Sequence, residues 1–231
     1  MRLDKFLSVT KTASRTEAAK AARGGRITVN GAVVRDCACH IDEKNDVICF
    51  DGAAVVYREF IWIMMNKPAG VLSASDDRRQ KTVIDLLPSP LNQMGLFPCG
   101  RLDKDTVGLI MLTNDGELAH KLLSPKKHAE KEYYFRLSVP YDKSVGIEKG
   151  IMMDGKMTKT AEIAMETEKS GKITLTEGKY HQIKRMFERA GSKVMYLKRL
   201  KFGGVELDPT LDEGAWRYLT EDEEKTLREN G

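Results

Sequence analysis

The sequence predicts an α+β protein: a small helix–helix–hairpin module followed by a larger domain built on a mixed, largely antiparallel sheet. Three observations point there. A capping box, Ser14-Arg15-Thr16-Glu17, opens an alanine-rich run that Gly24-Gly25 closes, which is how a short helix begins and ends. Asn30-Gly31, set between apolar runs, is a strong short-range hairpin signal. Past residue 60, strand-like and helix-like stretches mix without regular βαβ alternation, which argues against a parallel doubly wound sheet.

Taken in order, Leu3, Phe6 and Leu7 form the apolar stripe of a first helix. The second helix covers residues 18–23, and a strand over 26–29 leads into the Asn30-Gly31 turn, with Val33 and Val34 returning. Residues 46–50 form another strand, ended by Asp51-Gly52. This module closes at residue 56, residues 57–60 are the linker, and 61–231 are the second domain. There, residues 60–65 are apolar on both faces, as a strand covered on both sides requires. Residues 66–70 read as a loop, 82–87 as a short helix stopped before Pro88, and 108–112 as a strand. A helix over 117–123, strands over 131–139, 160–167 and 172–176, and a helix over 181–190 ended by Gly191 complete the pattern.

The net charge of +4 hides two basic fields. Residues 1–35 carry eight cations against Asp4 and Glu17, and residues 179–201 carry eight against Glu188 alone. Such fields suit a polyanion, and nucleic acid is the commonest one. The longest apolar runs are too short to span a bilayer, and Asp4 interrupts an N-terminus with no apolar core for secretion, so the expected location is the cytoplasm with no membrane partner. Cys37, Cys39, Cys49 and Cys99 are expected as free thiols. Cys37-x-Cys39 lacks the spacing of a zinc knuckle, and a half-buried strand would set both on one face, so no metal is expected.

In the first module, Arg2 and Lys5 lie off the apolar stripe, and Arg15, Lys20 and Arg23 project from the second helix, free to meet phosphates. With Arg26 they make a surface that reads backbone charge and shape, as folded RNA demands. Arg2-Leu-Asp-Lys-Phe-Leu, Ser14-Arg15-x-Glu17-Ala18 and Gly25-Arg26-Ile27-Thr28-Val29-Asn30-Gly31 together resemble the ribosomal-protein S-four type RNA-binding domain. In the second domain three blocks stand out: Asn66-Lys67-Pro68-Ala69-Gly70, Gly100-Arg101-Leu102-Asp103-Lys104-Asp105-Thr106, and Gly178-Lys179-Tyr180-His181-Gln182-Ile183-Lys184-Arg185-Met186-Phe187. Each alone reads equally as a turn, a surface ion pair or a basic helix. In this order, behind an RNA-binding module, they resemble the RsuA-like family of RNA pseudouridine synthases over residues 1–218.

The resemblance implies the pseudouridine synthase fold and an enzyme that turns uridine into pseudouridine in ribosomal RNA. The 16S RNA of the small subunit is the expected substrate, free or in an assembly intermediate, with a monomer acting on it. Large-subunit 23S RNA, a non-catalytic assembly factor and a base-releasing glycosylase are the alternatives. The isomerisation breaks an N-glycosidic bond and rejoins the base through carbon with no redox change, so no cofactor is expected. It needs a carboxylate beside the sugar, as nucleophile at C1′ or base at C2′. The resemblance gives that role to Asp103, its ionising cation to Lys184 with Arg185 as the alternative, the aromatic platform to Tyr133 and the packing beneath the base to Leu197. Arg101 is expected to fill the space left by the flipped base, and Lys67, His181 and Arg185 to touch RNA. Asp105 receives no catalytic role.

Overall fold

The computed structural model describes residues 1–124 and 129–231. They form two compact units, Met1–Phe60 with Leu87–Leu96, and Ile61–Leu86 with Phe97–Gly231.

In the first unit, helices α1 (Leu3–Val9) and α2 (Arg15–Arg23) precede a small antiparallel sheet of strands β1 (Ile27–Val29), β2 (Ala32–Val33), β3 (Ile48–Phe50) and β4 (Ala53–Ala54), in the order β2-β1-β3-β4. The capping box forms as expected: Ser14 Oγ accepts from Glu17 N, and the Glu17 carboxylate accepts from Ser14 N. Leu3, Phe6 and Leu7 of α1 and Ala18, Ala21 and Ala22 of α2 share one core with Ile27 and Ile48. The small alanines let the helices approach closely. Asn30 and Gly31 both take positive φ, as a two-residue hairpin turn with the right twist requires. Residues 37–39 are not a strand. The chain turns there, Cys37 is buried with its thiol donating to Ala18 O at 3.0 Å, and Cys39 is half-buried.

The second unit holds a nine-stranded sheet flanked by helices. Strands β5 (Trp62–Lys67), β6 (Phe97–Cys99), β7 (Val107–Thr113) and β8 (Lys131–Leu137) come first. A separate hairpin of β9 (Met152–Met153) and β10 (Lys156–Met157) follows, then β11 (Glu162–Met165), β12 (Ser170–Leu175), β13 (Val194–Phe202), β14 (Val205–Glu206) and β15 (Trp216–Tyr218). The main path runs β11-β12-β8-β13-β7-β5-β15, with β6 on β7 and β14 on β13. Its helices are α3 (Gly116–Leu123), α4 (Gln182–Arg189) and α5 (Glu221–Glu229). The pairings are antiparallel except that of β7 with β13. This is the α+β architecture the sequence predicts.

Several boundaries differ from expectation. The strand expected at residues 60–65 is buried on both faces but runs on to Lys67, into what reads as a loop. Residues 84–86 make one 3-10 turn in place of a helix. β13, the longest strand, lies in a stretch that reads as a basic field, and α5 lies in an acidic tail capped by its own box, Thr220 with Glu223. One face of β5 and β7 (Trp62, Met64, Leu109, Met111) packs with α3 and Leu227 of α5. α4 lays Phe187 against Phe135 of β8, with ring centroids 4.5 Å apart. No helix among the described residues is long and apolar enough to cross a membrane.

Where β7 and β13 run parallel, Gly108 faces Arg199. A Cβ on Gly108, whose φ is +97°, would lie 2.3 Å from Arg199 O and 2.8 Å from Arg199 N, so only glycine admits this approach. Gly108→Ala should therefore cost the second unit about 2–4 kcal/mol. Both tryptophans, Trp62 and Trp216, lie in that unit, so the loss should appear as a lowered denaturation midpoint by tryptophan fluorescence. An unchanged midpoint would refute this account of the pairing.

Candidate active site

The loop between β6 and β7 carries Asp103, and the backbone of the loop is stapled from one side. Gly100 turns it with φ +85°. Ser73 Oγ accepts from Leu102 N at 3.0 Å and donates to Leu102 O at 2.9 Å, while Gly70 N donates to Lys104 O at 2.7 Å. Lys67, at the end of β5, reaches under the loop. Its ammonium lies 2.9–3.3 Å from the carbonyl oxygens of Pro68, Asp103, Lys104 and Thr106. Burial pushes its pKa down to about 8, against a pull upward from Asp105 and Asp103. This corrects the expectation that Lys67 meets RNA: its side chain is 0% exposed and every reachable partner is a main-chain oxygen of its own domain.

The side chain of Asp103 faces the other way, into a cleft lined by Arg101, Tyr133, Leu197, His181 and Lys184. Lys184 Nζ, on the first turn of α4, lies 2.9 Å from Asp103 Oδ2 and 2.6 Å from Asp105 Oδ1. Burial pulls this ammonium toward neutrality, but the hydrogen bonds to Asp105 and Asp103 outweigh it, and its pKa lies above the ordinary lysine value. For Asp105 burial pushes upward and the Lys184 bond wins, holding the carboxyl below its usual range. Lys184 is thus the cation beside Asp103. Arg185 is not: it makes a bidentate pair with Asp154, both bonds at 2.9 Å, in the turn between β9 and β10.

Tyr133 of β8 and Leu197 of β13 are 8% and 7% exposed and form apolar walls of the cleft, while Arg101 stands exposed at its rim. His181 sits in the left-handed region at the N-cap of α4, with Nε2 3.5 Å from Asp103 Oδ1. The turn before it is locked by Gln182, which accepts from Lys179 N at 2.9 Å and donates to Glu177 at 2.7 Å. The structure therefore brings Asp103, Lys184, Tyr133, Leu197, Arg101 and His181 to one cleft.

Two contributors are absent from the sequence-based set. Asp105 shares Lys184; the alternation Asp103-Lys104-Asp105 on a tight loop was the available signal. Ser73 clamps Leu102, and nothing in its local sequence announces that.

The cations of the first unit divide. Arg2, Arg15 and Arg23 converge with Arg35 around one recess that also contains Asp4 and Asp36. Arg2 already pairs with Asp4 at 2.8 Å, and Arg26 with Asp51. Lys5 and Lys20 are exposed and lie outside the recess.

Comparison with known proteins agrees with this geometry. Residues 61–189 match the RNA pseudouridylate synthase family, and residues 1–48 match the S4 domain. The chain is 45% identical to an uncharacterized RNA pseudouridine synthase of Bacillus subtilis, over 99% of each chain. It is 38% identical to the ribosomal small subunit pseudouridine synthase A of Escherichia coli K12, over 96% of this chain and 98% of that one. For the Haemophilus influenzae protein of the same name the identity is 37%, over 98% and 99%. The crystal structure of a pseudouridylate synthase superposes with a TM-score of 0.69 at 37% identity, covering 98% of this chain and 99% of that one. With a family match across most of the sheet domain and relatives spanning its full length, the chain belongs to the RNA pseudouridylate synthase family and is an RNA-modifying isomerase with an N-terminal S4 domain.

Proposed function

We propose that this enzyme isomerises one chosen uridine of 16S ribosomal RNA, in the cytoplasm, with Asp103 as its reacting group. Full-length similarity to two proteins named for the small ribosomal subunit supports the choice of RNA. The observation that carries the chemistry is the Asp103–Lys184 contact at 2.9 Å, in a cleft walled by Tyr133 and Leu197. The first unit holds the RNA through its basic recess, and the second does the chemistry.

Uridine and pseudouridine are isomers, so the reaction balances without oxidant, reductant or added group, and the proposed mechanism uses no cofactor. The target base must first leave its stack at a cost of a few kcal/mol. Arg101, exposed at the rim, takes the vacated place. Asp103 then either attacks C1′ or removes the C2′ proton, and the bond from C1′ to N1 breaks. The freed uracil turns against Tyr133 with Leu197 beside it. C5 then joins C1′ as the bond from Asp103 to C1′ breaks or, on the other route, as the proton Asp103 removed is returned to C2′, and N1 gains a proton as C5 loses one. A 2′-deuterated target separates the two routes, since only proton removal at C2′ gives a primary isotope effect. Lys184 supplies the counter-charge throughout, and Asp105 steadies the ammonium from its other side.

Three outcomes test this reading. Asp103→Asn should lower pseudouridine formation by at least about 10³-fold while leaving RNA affinity within a few-fold of wild type. Parallel loss of both would point to a binding role for that side chain. Release of free uracil by the wild type would make the protein a glycosylase.

Lys67 gives a pH signature. Its folded-state pKa of about 8 lies below the ordinary 10.5, so between those values the unfolded chain binds the extra proton and this group favours the fold increasingly as pH rises. Over the same window the charge tethering the Asp103 loop disappears. Turnover should therefore fall above pH about 8 while stability does not, and Lys67→Met should lose roughly tenfold or more in kcat and lack that limb. A wild-type profile flat to about pH 9.5 would contradict it.

For the recess, Arg15→Ala combined with Arg23→Ala should reduce the slope of log affinity against log salt by roughly 1.5, read from RNA binding across a salt series. An unchanged slope would remove both arginines from the RNA contact.

A further inference from the structure

Tyr180 occupies an unusual position for a large aromatic side chain. It lies between Lys179 and His181, both of which line the cleft, yet it is 71% exposed. One face of its ring is stacked on the His181 imidazole, with centroids 3.8 Å apart and planes within 18°. That imidazole in turn reaches within 3.5 Å of the Asp103 carboxylate. Two short steps thus connect the reacting carboxylate to an open aromatic face.

The ring is not needed to build its own turn. Gln182 closes the turn through Lys179 N and Glu177, Gln182 N donates to Lys179 O at 3.2 Å, and Arg185 N donates to His181 O at 3.0 Å. Lys179 Nζ binds the carbonyl oxygens of Lys156 and Met157 at 3.1 and 3.3 Å, and Arg185 pairs with Asp154, so the turn is tied to the β9–β10 hairpin at two points. The result is a firmly tied turn that carries an exposed ring between two residues lining the cleft. An aromatic face held in place beside positive charge is the usual device for gripping an unstacked nucleotide, because every base has a π-face and little entropy is lost on contact.

We propose that the outer face of Tyr180 is a stacking subsite for a base of the RNA immediately beside the flipped uridine. The His181–Tyr180 pair would then continue as a three-ring stack, imidazole, phenol and nucleobase, that holds the strand open while the target occupies the cleft. The inference rests on the reading of the chain as an RNA pseudouridine synthase acting on a flipped uridine.

The test uses the full-length protein, a ribosomal RNA fragment containing the mapped target uridine, and a set of fragments with a single abasic nucleotide at each of the two positions on either side of it. Tyr180→Ala should weaken binding and slow single-turnover isomerisation by about 10- to 100-fold. Tyr180→Phe and Tyr180→Trp should stay within a few-fold of wild type, because they keep the π-face, while Tyr180→Leu should resemble Tyr180→Ala. The penalty should vanish on the fragment abasic at one flanking position and persist on the others. A merely structural role for Tyr180 would give the same penalty on every fragment. That outcome, or equal activity of the Leu and Phe variants, or a Tyr180→Ala protein matching wild type, would overturn the subsite. Wild-type protein forming no pseudouridine would instead overturn the enzymatic reading, so the two failures are distinguishable.

Discussion

The site depends on the parallel pairing of β7 with β13. Parallel neighbours begin at the same end of a sheet, so the loop that feeds β7 and the helix that feeds β13 arrive from one end. The first brings Asp103, the second Lys184. The register does the rest: Lys198 pairs with Val107 and Arg199 with Gly108, while across β13 the same Arg199 pairs with Tyr133 of β8. Leu197, two residues earlier on β13, and Tyr133 of the neighbouring strand thereby both line the cleft that opens above Asp103. An antiparallel β7–β13 pair would send loop and helix to opposite ends and leave the carboxylate without its lysine. Gly108 is where this arrangement is most constrained, because the two backbones approach closer than a side chain allows.

Charge is distributed around the loop by a consistent rule. Three strand cations, Lys67 and Arg199 buried and Lys131 half-buried, are answered by neutral oxygens and aromatic faces. Lys67 has its four carbonyls, Lys131 has Ala129 O at 2.8 Å and the Phe202 ring, and Arg199 has Leu109 O at 2.7 Å and the same ring. The carboxylates of Asp103 and Asp105 are both committed to Lys184 at the surface of the cleft. Holding the loop by its backbone leaves the side chain of Asp103 free to face a substrate. The arrangement has a cost, since buried ammonium groups shed protons readily, and Lys67 and Lys131 both sit at about 8.

Much of this was readable from the residues, and the parts that were not share a cause. The helices of the first unit announce themselves through local chemistry: a capping box, alanines at the contact, and Asn30-Gly31 at positive φ. Asp103 and Lys184 are legible because a tight loop and a short helix keep their motifs contiguous in sequence. β13 was hidden because Lys198, Arg199 and Lys201 dominate its composition. Of its nine residues only Leu197, Arg199 and Phe202 are buried, and burial of Arg199 runs against expectation for an arginine. Lys67 misled for a related reason. A lysine beside a Pro-Ala-Gly turn reads as exposed, and only the tertiary placement of the Asp103 loop above β5 makes it an interior group. α5 carried a full capping box, but its acidic first turn reads equally well as a solvated tail.

If the flipped base enters the cleft as proposed, its walls indicate where the cost of extraction is offset. Tyr133 and Leu197 are already almost fully buried, so a uracil placed against them would remove little further apolar surface from water. They orient the base more than they draw it in. Surface remains to be covered at the rim, where Arg101 and Tyr180 stand exposed. Contacts there form only when the helix or loop of the RNA has opened, which is the condition for interactions that favour the extracted state over the stacked one. Phosphate contacts at the basic recess, as proposed, would form equally well on stacked and unstacked RNA and contribute affinity without shifting that equilibrium. On the proposed reading, selection among uridines falls to the rim, where the cost of opening differs from one RNA site to the next, and the interior of the cleft can remain a rigid holder for a single small ring.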